Sequence, residues 1–127
     1  MDLQLTGKVA LVTGGSKGIG KAIARTLGIE GCRIAICSRN FTELKAAADE
    51  LSAETGAEII PIAADLTTPN DAENFVDKAV EHFGRADILV NNAGSAPGGV
   101  IETLTEEDWA LSLQLKFMGY VRCTKAV

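Results

Sequence analysis

The sequence predicts an α/β protein with an open, doubly wound parallel sheet of about four strands. Short apolar runs alternate with longer stretches whose apolar residues recur at helical spacing, as is typical of parallel βαβ units. No repeat, linker or low-complexity stretch interrupts this pattern, so residues 1–127 are expected to lie in one domain. Right-handed crossovers then favour the spatial order 3-2-1-4.

The four strands are predicted where short apolar runs end in glycine or polar residues. Pro61 lacks the N–H that a β-ladder needs, so the third strand is expected at an edge of the sheet. The predicted strands cover residues 9–12, 33–37, 59–63 and 87–90.

Helical spacing of apolar residues follows each strand. The first helix stacks Ile19, Ile23 and Leu27 four residues apart. Glycines at positions 31, 56 and 84 mark the expected ends of the first three helices. The third helix has the clearest amphipathic pattern, formed by Ala72, Phe75, Val76, Ala79, Val80 and Phe83.

The last helix is expected to begin at Thr105, with Asp108 as its capping partner. Apolar residues occupy nearly every side of this helix from Trp109 onwards. The pattern predicts burial on more than one face and a homo-oligomer formed through residues 109–127.

Composition excludes several classes of function. The formal net charge is -5 and no block of Lys or Arg is present, which argues against nucleic acid or an anionic membrane as a partner. No apolar run has the roughly 20 residues of a membrane span. One histidine and three cysteines without C-x-x-C spacing predict no metal site and reduced thiols in the cytoplasm.

A glycine-rich turn joins the first strand to the first helix and reads T-G-G-S-K-G-I-G from Thr13 to Gly20. Glycines let a backbone approach a ligand closely, and the free N–H groups at a helix start attract anions. The turn therefore predicts a pyrophosphate site. Glycines also form purely structural turns, but the position between a strand and a helix favours binding.

A second feature, Ser38-Arg39, follows the second strand about 20 residues after the glycines. An acid at this place would bind a ribose 2′-hydroxyl, whereas an arginine accommodates a 2′-phosphate. Lys17 is a second cation that could reach the same group. The two cations predict NADP(H) rather than NAD(H); the alternative is that Arg39 is a solvated surface charge.

A third motif, Asn91-Asn92-Ala93-Gly94, follows the fourth strand. The two amides can hydrogen-bond neighbouring backbone and hold the strand ends in register, while Ala93 and Gly94 leave room for a flat ring. Asn-Asn before Gly could also be a plain turn. Its place after the fourth strand, together with the first motif, favours a binding site.

These motifs together resemble the short-chain dehydrogenase/reductase family, including its 3-oxoacyl-[acyl-carrier-protein] reductases. The T-G-x-x-x-G-x-G spacing, Asp65-Leu66 after the third strand and the Asn91 to Gly94 motif carry the likeness, which covers essentially the whole chain. The resemblance implies a Rossmann-like domain of which residues 1–127 are the amino-terminal part. It also implies cofactor contacts from Gly14, Ser16, Lys17, Gly18, Ile19, Gly20, Ser38, Arg39, Asp65, Leu66, Asn92, Ala93 and Gly94.

The resemblance divides these residues among parts of the cofactor. It places the first six around the pyrophosphate and adenosine ribose, and Ser38 and Arg39 at the 2′-phosphate. It places Asp65 and Leu66 at the adenine, and the last three at the ribose on the nicotinamide side.

The sequence departs from the family pattern in two ways. In the family, catalysis rests on a Ser and a Tyr-x-x-x-Lys motif, expected beyond Val127; Tyr120 is followed four residues later by Thr124. We therefore expect no catalytic residue in this chain and no turnover by it alone. Lys116 occupies the position of a family Asn that supports a proton relay, unless the helix register is shifted by one turn and Lys116 is merely solvated.

Two hypotheses follow. One is an NADP(H)-dependent oxidoreductase acting on a small-molecule carbonyl or secondary alcohol, with this chain as its cofactor-binding half. The other is a non-catalytic dinucleotide-binding module or a truncated, inactive fragment.

Overall fold

The computed structural model describes residues 1–94 and 98–127 and contains the predicted alternation of strands and helices. The strands are β1 (Val9–Thr13), β2 (Arg33–Ser38), β3 (Ile59–Ala63) and β4 (Ile88–Val90). They form one parallel sheet in the order β3-β2-β1-β4, which confirms the predicted order and the edge position of β3.

The fourth strand begins at Ile88, one residue later than predicted. Asp87, which precedes it, forms hydrogen bonds to β1 through its carboxylate as well as through its backbone. The Asp87 N–H donates to the Val9 carbonyl at 2.9 Å, and the Asp87 carboxylate accepts the Val9 N–H at 2.9 Å. A carboxylate thus takes the place of a ladder carbonyl at this end of the sheet.

Helices cover both faces of the sheet: α1 (Gly18–Ile29) and α2 (Phe41–Thr55) on one face, and α3 (Pro69–Phe83) on the other. Side chains of β1 alternate between these layers. Val9 and Leu11 pack with residues of α3, whereas Ala10 and Val12 pack with residues of α1 and α2. The buried strand predicted from the apolar run is confirmed, since every residue of β1 is buried.

The prediction that glycines end the second and third helices is confirmed. Each helix ends at a glycine in the left-handed region, with a φ of 75° at Gly56 and 83° at Gly84. The three residues predicted to recur four apart on the first helix, Ile19, Ile23 and Leu27, all lie within α1. Ile23 and Leu27 pack against the core, but Ile19 is 74% exposed, because it lies in the first turn of the helix.

The last helical stretch is not one continuous helix. It consists of α4 (Glu106–Ser112), a π-helical segment (Leu113–Met118) and α5 (Gly119–Ala126). The predicted cap is confirmed: the Thr105 hydroxyl accepts the Asp108 N–H at 3.2 Å, and the Asp108 carboxylate accepts the Thr105 N–H at 2.9 Å.

Within the described chain this stretch is buried on one side only, so the subunit interface expected to cover its other sides stays a prediction. Trp109 is 48% exposed and Phe117 63% exposed. Only Gly119 and Cys123 are buried, because α5 packs on α3 and its other sides face outward. The fold therefore presents apolar side chains at the surface. The exposed ones are Trp109, Leu111, Leu113, Phe117 and Val121.

Within residues 1–94 and 98–127, no helix combines the length and apolar character that crossing a membrane would require.

Candidate functional site

A crevice of about 410 Å³ opens at the carboxyl ends of β1, β2 and β4 and beside the loop after β3. In an open α/β sheet, this edge is where ligands bind. The predicted site residues converge here, except Gly18 and Gly20, which are not among its lining residues. The lining residues are Gly14, Ser16, Lys17, Ile19, Cys37, Ser38, Arg39, Ala64, Asp65, Leu66, Thr67, Asn92, Ala93, Gly94, Leu111 and Leu115.

Close packing requires glycine at positions 14 and 20 of the first turn. A Cβ on Gly20 would lie 2.1 Å from the Gly14 carbonyl oxygen, and one on Gly14 would lie 2.9 Å from Ala93 Cα. Gly14 also has a φ of 68°, in the region that favours glycine. Gly20 thus lies outside the crevice. Its lack of a side chain allows the start of α1 to pack close to the end of β1 and to the loop after β4.

The start of α1 leaves its first N–H groups without a side-chain cap. Its N-cap, Lys17, makes no capping hydrogen bond within the described chain, and the first turn contains no acidic residue. The turn before it is fixed to β2, because the Gly14 and Gly15 N–H groups donate to the Cys37 carbonyl at 2.9 and 3.2 Å. A rigid turn and an uncapped helix start together form a site of positive potential.

The two predicted cations lie at the same crevice. Lys17 and Arg39 are both exposed and both line it, beside Ser38, whose hydroxyl donates to the Asn40 carbonyl at 3.4 Å. Cys37, just before them, is fully buried, and burial raises the pKa of its thiol to about 12. The Cys37 thiol is therefore a neutral part of the wall.

The Asp65 carboxylate forms hydrogen bonds within its own loop. Its carboxylate accepts the Thr67 hydroxyl at 2.7 Å and the Thr67 N–H at 3.0 Å, and its N–H donates to Asp71 at 2.8 Å. The bond from the Thr67 hydroxyl holds the pKa of the Asp65 carboxyl below its usual value, with a smaller contribution from Arg39. The acid is thereby a structural part of the wall, beside buried Leu66.

Thr13 and Asn92 join the ends of β1 and β4. The buried Thr13 hydroxyl accepts the N–H groups of Asn92 and Ala93, both at 2.9 Å, and donates to the Val90 carbonyl at 3.3 Å. The Asn92 amide donates to the carbonyls of Thr13 and Gly14 at 3.1 and 3.2 Å. The prediction that an amide holds these strand ends in register is confirmed for Asn92.

The same prediction for Asn91 is wrong. Its amide nitrogen donates to the Thr124 hydroxyl at 3.1 Å, so it ties β4 to α5 rather than to neighbouring backbone. The Asn91 side-chain oxygen is buried and accepts no hydrogen bond within the described part of the chain.

Lys116 lies in the π-helical segment with its side-chain carbons over Gly94. A Cβ on Gly94 would be 2.8 Å from Lys116 Cε and 3.4 Å from Lys116 Cγ. The residue is exposed and is not a lining residue, although Gly94 is. Lys116 thus covers the outer side of the β4 end of the crevice.

Five lining residues were not predicted, and the sequence carries a partial signal for three of them. Leu111 and Leu115 are spaced one helical turn apart, and an Asp-x-Thr sequence predicts the turn that brings Thr67 to Asp65. The sequence gives no signal that would place Cys37 or Ala64 in the wall, because both look like ordinary core residues at strand ends.

Nearly the whole chain is similar in sequence to known proteins. The family model for short chain dehydrogenases matches residues 8–127. A 3-oxoacyl-[acyl-carrier-protein] reductase from a Synechocystis species is 36% identical over 126 residues, which are 97% of this chain and 50% of that protein. The chain spans about half the length of the curated relatives it matches.

Solved structures share the fold. L-sorbose reductase from Gluconobacter frateurii, complexed with NADPH and L-sorbose, has a TM-score of 0.95 and 37% identity over all of this chain and 48% of its own. A short chain dehydrogenase/reductase from Burkholderia phymatum in complex with NAD has a TM-score of 0.91 and 30% identity, covering 98% of this chain and 44% of its own. The strand order and the glycine turn at the crevice fit the same assignment, and the chain belongs to the short-chain dehydrogenase family.

Proposed function

We propose that residues 1–127 are the amino-terminal, cofactor-binding part of a Rossmann-type domain in an NADP(H)-dependent oxidoreductase. The observation that carries the proposal is one crevice lined by the uncapped glycine turn, by Lys17 and Arg39, and by the Asn92 to Gly94 loop. Its volume of about 410 Å³ lies within the range of small-molecule sites.

The diphosphate would bind at the start of α1. Gly14 has no side chain to block the approach, Ser16 lines the crevice nearby, and the first N–H groups of α1 lack a side-chain cap in the described chain. Ile19, exposed in the first turn of α1, would cover the ligand from above. These features match an anion held by a helix N-terminus.

The 2′-phosphate of NADP(H) would bind Lys17 and Arg39, with the Ser38 hydroxyl beside them. The nearby Asp65 carboxylate stays ionised and opposes this binding, while two hydrogen bonds from Thr67 hold it in its own loop. One hydrogen bond to a charged partner contributes roughly 1.5–3 kcal/mol, so each cation can favour NADP(H) by about tenfold or more. The Gluconobacter frateurii structure contains NADPH and the Burkholderia phymatum structure contains NAD, so the preference proposed for this chain rests on its two cations.

The nicotinamide side would lie at the end of β4. Asn92 uses its amide nitrogen to hold Thr13 and Gly14, while Ala93 and Gly94 leave a flat backbone surface, and Leu111 and Leu115 line the crevice as well. The bound nicotinamide would supply or accept the hydride, and the substrate that accepts or supplies it would be a small-molecule carbonyl or secondary alcohol. A 3-oxoacyl group is one such substrate, by analogy with the Synechocystis relative.

Lys116 would alter the proton-transfer arrangement of the family. It stands at the edge of the β4 end, where a protonated amine can donate but cannot accept as an amide does. The only tyrosine, Tyr120, has Thr124 four residues later, so we expect this chain alone to show no turnover. The second hypothesis, a non-catalytic dinucleotide-binding module, shares the same crevice.

Two further properties belong to the proposal. The three buried, unpaired cysteines fit a reducing compartment such as the cytoplasm. The exposed apolar side chains from Trp109 to Val121 fit a homo-oligomer formed through this stretch.

The test is a calorimetric titration of the chain with NADPH and with NADH. We expect NADPH to bind about tenfold or more tightly, and Arg39→Asp to reverse the order, because an acid there repels the 2′-phosphate and can bind a 2′-hydroxyl. Lys78→Asp makes the same change of charge on the exposed side of α3 and should leave the preference intact. Equal affinities before and after Arg39→Asp would refute the proposal.

A further inference from the structure

Arg122, a half-buried residue of α5, joins two segments that are distant in sequence. One guanidinium nitrogen, Nη1, donates to the Thr67 carbonyl at 3.1 Å and lies 3.5 Å from the Leu66 carbonyl. The other, Nη2, donates to the Gln114 side-chain oxygen at 2.8 Å. One planar, permanently charged group thus connects the loop after β3 to the π-helical segment.

Both of these segments form walls of the crevice. Leu66 and Thr67 line it from the loop after β3. Gln114 does not line it, but it precedes Leu115, which does. Arg122 itself is not a lining residue, so it stands behind the two walls rather than in the site.

The π-helical segment brings Gln114 and Arg122 to the same side. Eight residues of a regular α-helix turn through 800°, so the two side chains would point about 80° apart. A π-helical turn adds about one residue, so that residues eight apart occupy nearly the positions of residues seven apart and share a face. The departure from α-helical geometry is what permits the bridge.

Gly119 permits the close approach of α5 to the same loop. A Cβ at this position would lie 3.3 Å from the Leu66 carbonyl oxygen, which is tighter than ordinary contact. The carbonyl is thereby near the guanidinium of Arg122, and a larger residue at position 119 would push the loop away.

We propose that Arg122 is a positioning residue that holds the Leu66–Thr67 loop and the π-helical segment at a fixed separation, and so sets the affinity of the crevice for its dinucleotide. The effect on ligand affinity rests on the proposed function, whereas the positioning of the two walls does not. A part-buried carbonyl that loses a charged donor must be hydrated or find another donor, so the walls separate more easily when the guanidinium is removed.

The first experiment measures amide hydrogen exchange in the wild-type chain and in Arg122→Met, which keeps an unbranched side chain but no donor. We expect exchange to rise about tenfold in residues 65–68 and 113–118, with no change in β1 and β2. Arg25→Met is the matched control, because Arg25 bonds Glu54 at 2.8 Å on the surface away from the crevice. No change in the two walls, or an equal rise throughout the chain, would overturn the proposal.

The second experiment titrates the same variants with NADPH. Arg122→Met should weaken binding about tenfold, Arg25→Met should not, and Arg122→Lys should lie between, because one ammonium cannot reach both walls in the geometry of a guanidinium. If the wild type binds no dinucleotide, the proposed function fails and the exchange result still decides the role of Arg122. If NADPH affinity is the same in all variants, the link between wall position and binding is wrong.

Discussion

The two strands that flank β1 differ in how completely they are covered. The central residues of β2, from Ile34 to Cys37, are buried, whereas all three residues of β4 are only half-buried. β2 lies between β1 and β3 with α1 and α2 packed on one face, while in the described chain β4 pairs with β1 alone. The segment after β4 exposes Leu113 and Phe117 in the same way.

This difference separates the crevice into two parts. The part proposed to bind the phosphates stands on a filled core, and its glycine turn is bonded to β2. The part proposed to bind the nicotinamide side stands on β4 and the π-helical segment, and is held mainly by Thr13, Asn92 and Arg122. Substitutions should therefore lower the free energy of unfolding most where packing is complete and at the few residues that join the two parts.

A matched pair of leucines gives the largest expected contrast. Leu51 of α2 is 0% exposed and Leu113 of the π-helical segment is 56% exposed. Leu51→Ala should lower the free energy of unfolding by about 2–5 kcal/mol, because it removes buried methyl groups and leaves a cavity. Leu113→Ala should change it by less than about 0.5 kcal/mol, the usual range for a surface site. Urea unfolding of both variants measures this, and similar losses would show that the two regions are equally covered.

Thr13→Val tests the junction between the two parts and should have the next largest effect. The change keeps the shape of the side chain but leaves the N–H groups of Asn92 and Ala93 without their acceptor. Each unsatisfied buried donor costs about 1–3 kcal/mol; because these two donors are only part-buried, we expect the lower part of the summed range, a loss of roughly 2–4 kcal/mol in the free energy of unfolding. Thr13→Ser keeps the acceptor oxygen and serves as the control; a Val variant as stable as the Ser variant would contradict the account.

The smallest expected effect is an acid-dependent loss of stability at Asp87, where β4 meets the start of β1. The hydrogen bond from Arg85, followed by that from the Val9 N–H, holds the pKa of the Asp87 carboxyl below its usual value. The folded state is thus favoured above the unfolded-state pKa of about 3.9, and this contribution is lost as pH falls through the folded-state value. Asp87→Asn should flatten the fall in stability below about pH 4; parallel profiles for both proteins would show that the bonds at Asp87 contribute nothing.

The sequence was sufficient for the sheet and for the part of the crevice formed by the glycine turn, Lys17 and Arg39, because both follow from local rules. Apolar runs predicted the strands, Pro61 predicted an edge, and the positive φ values of Gly56 and Gly84 follow from their role as helix stops. The convergence of Lys17 and Arg39 follows from parallel strands, whose carboxyl ends meet at one edge of the sheet.

The sequence was not sufficient for the stretch after β4. An α-helical period fits Leu111 and Leu115, so nothing in the pattern reveals that residues 113–118 are π-helical. The bridge from Arg122 to Thr67 spans 55 positions, and such a contact depends on how α5 packs, which periodicity does not specify. The apolar content of the Trp109 stretch indicates that this surface needs cover, but it does not specify which surface supplies that cover.

The most direct test of the central claim isolates the 2′-phosphate. Calorimetry would compare adenosine 2′,5′-bisphosphate with adenosine 5′-monophosphate, which differ only in that group, on the wild-type chain and on a Lys17→Met/Arg39→Met double variant. We expect the bisphosphate to bind the wild type about tenfold or more tightly, with a preference that weakens as salt is added and is absent from the double variant. Equal affinity of the wild type for the two nucleotides would contradict the account.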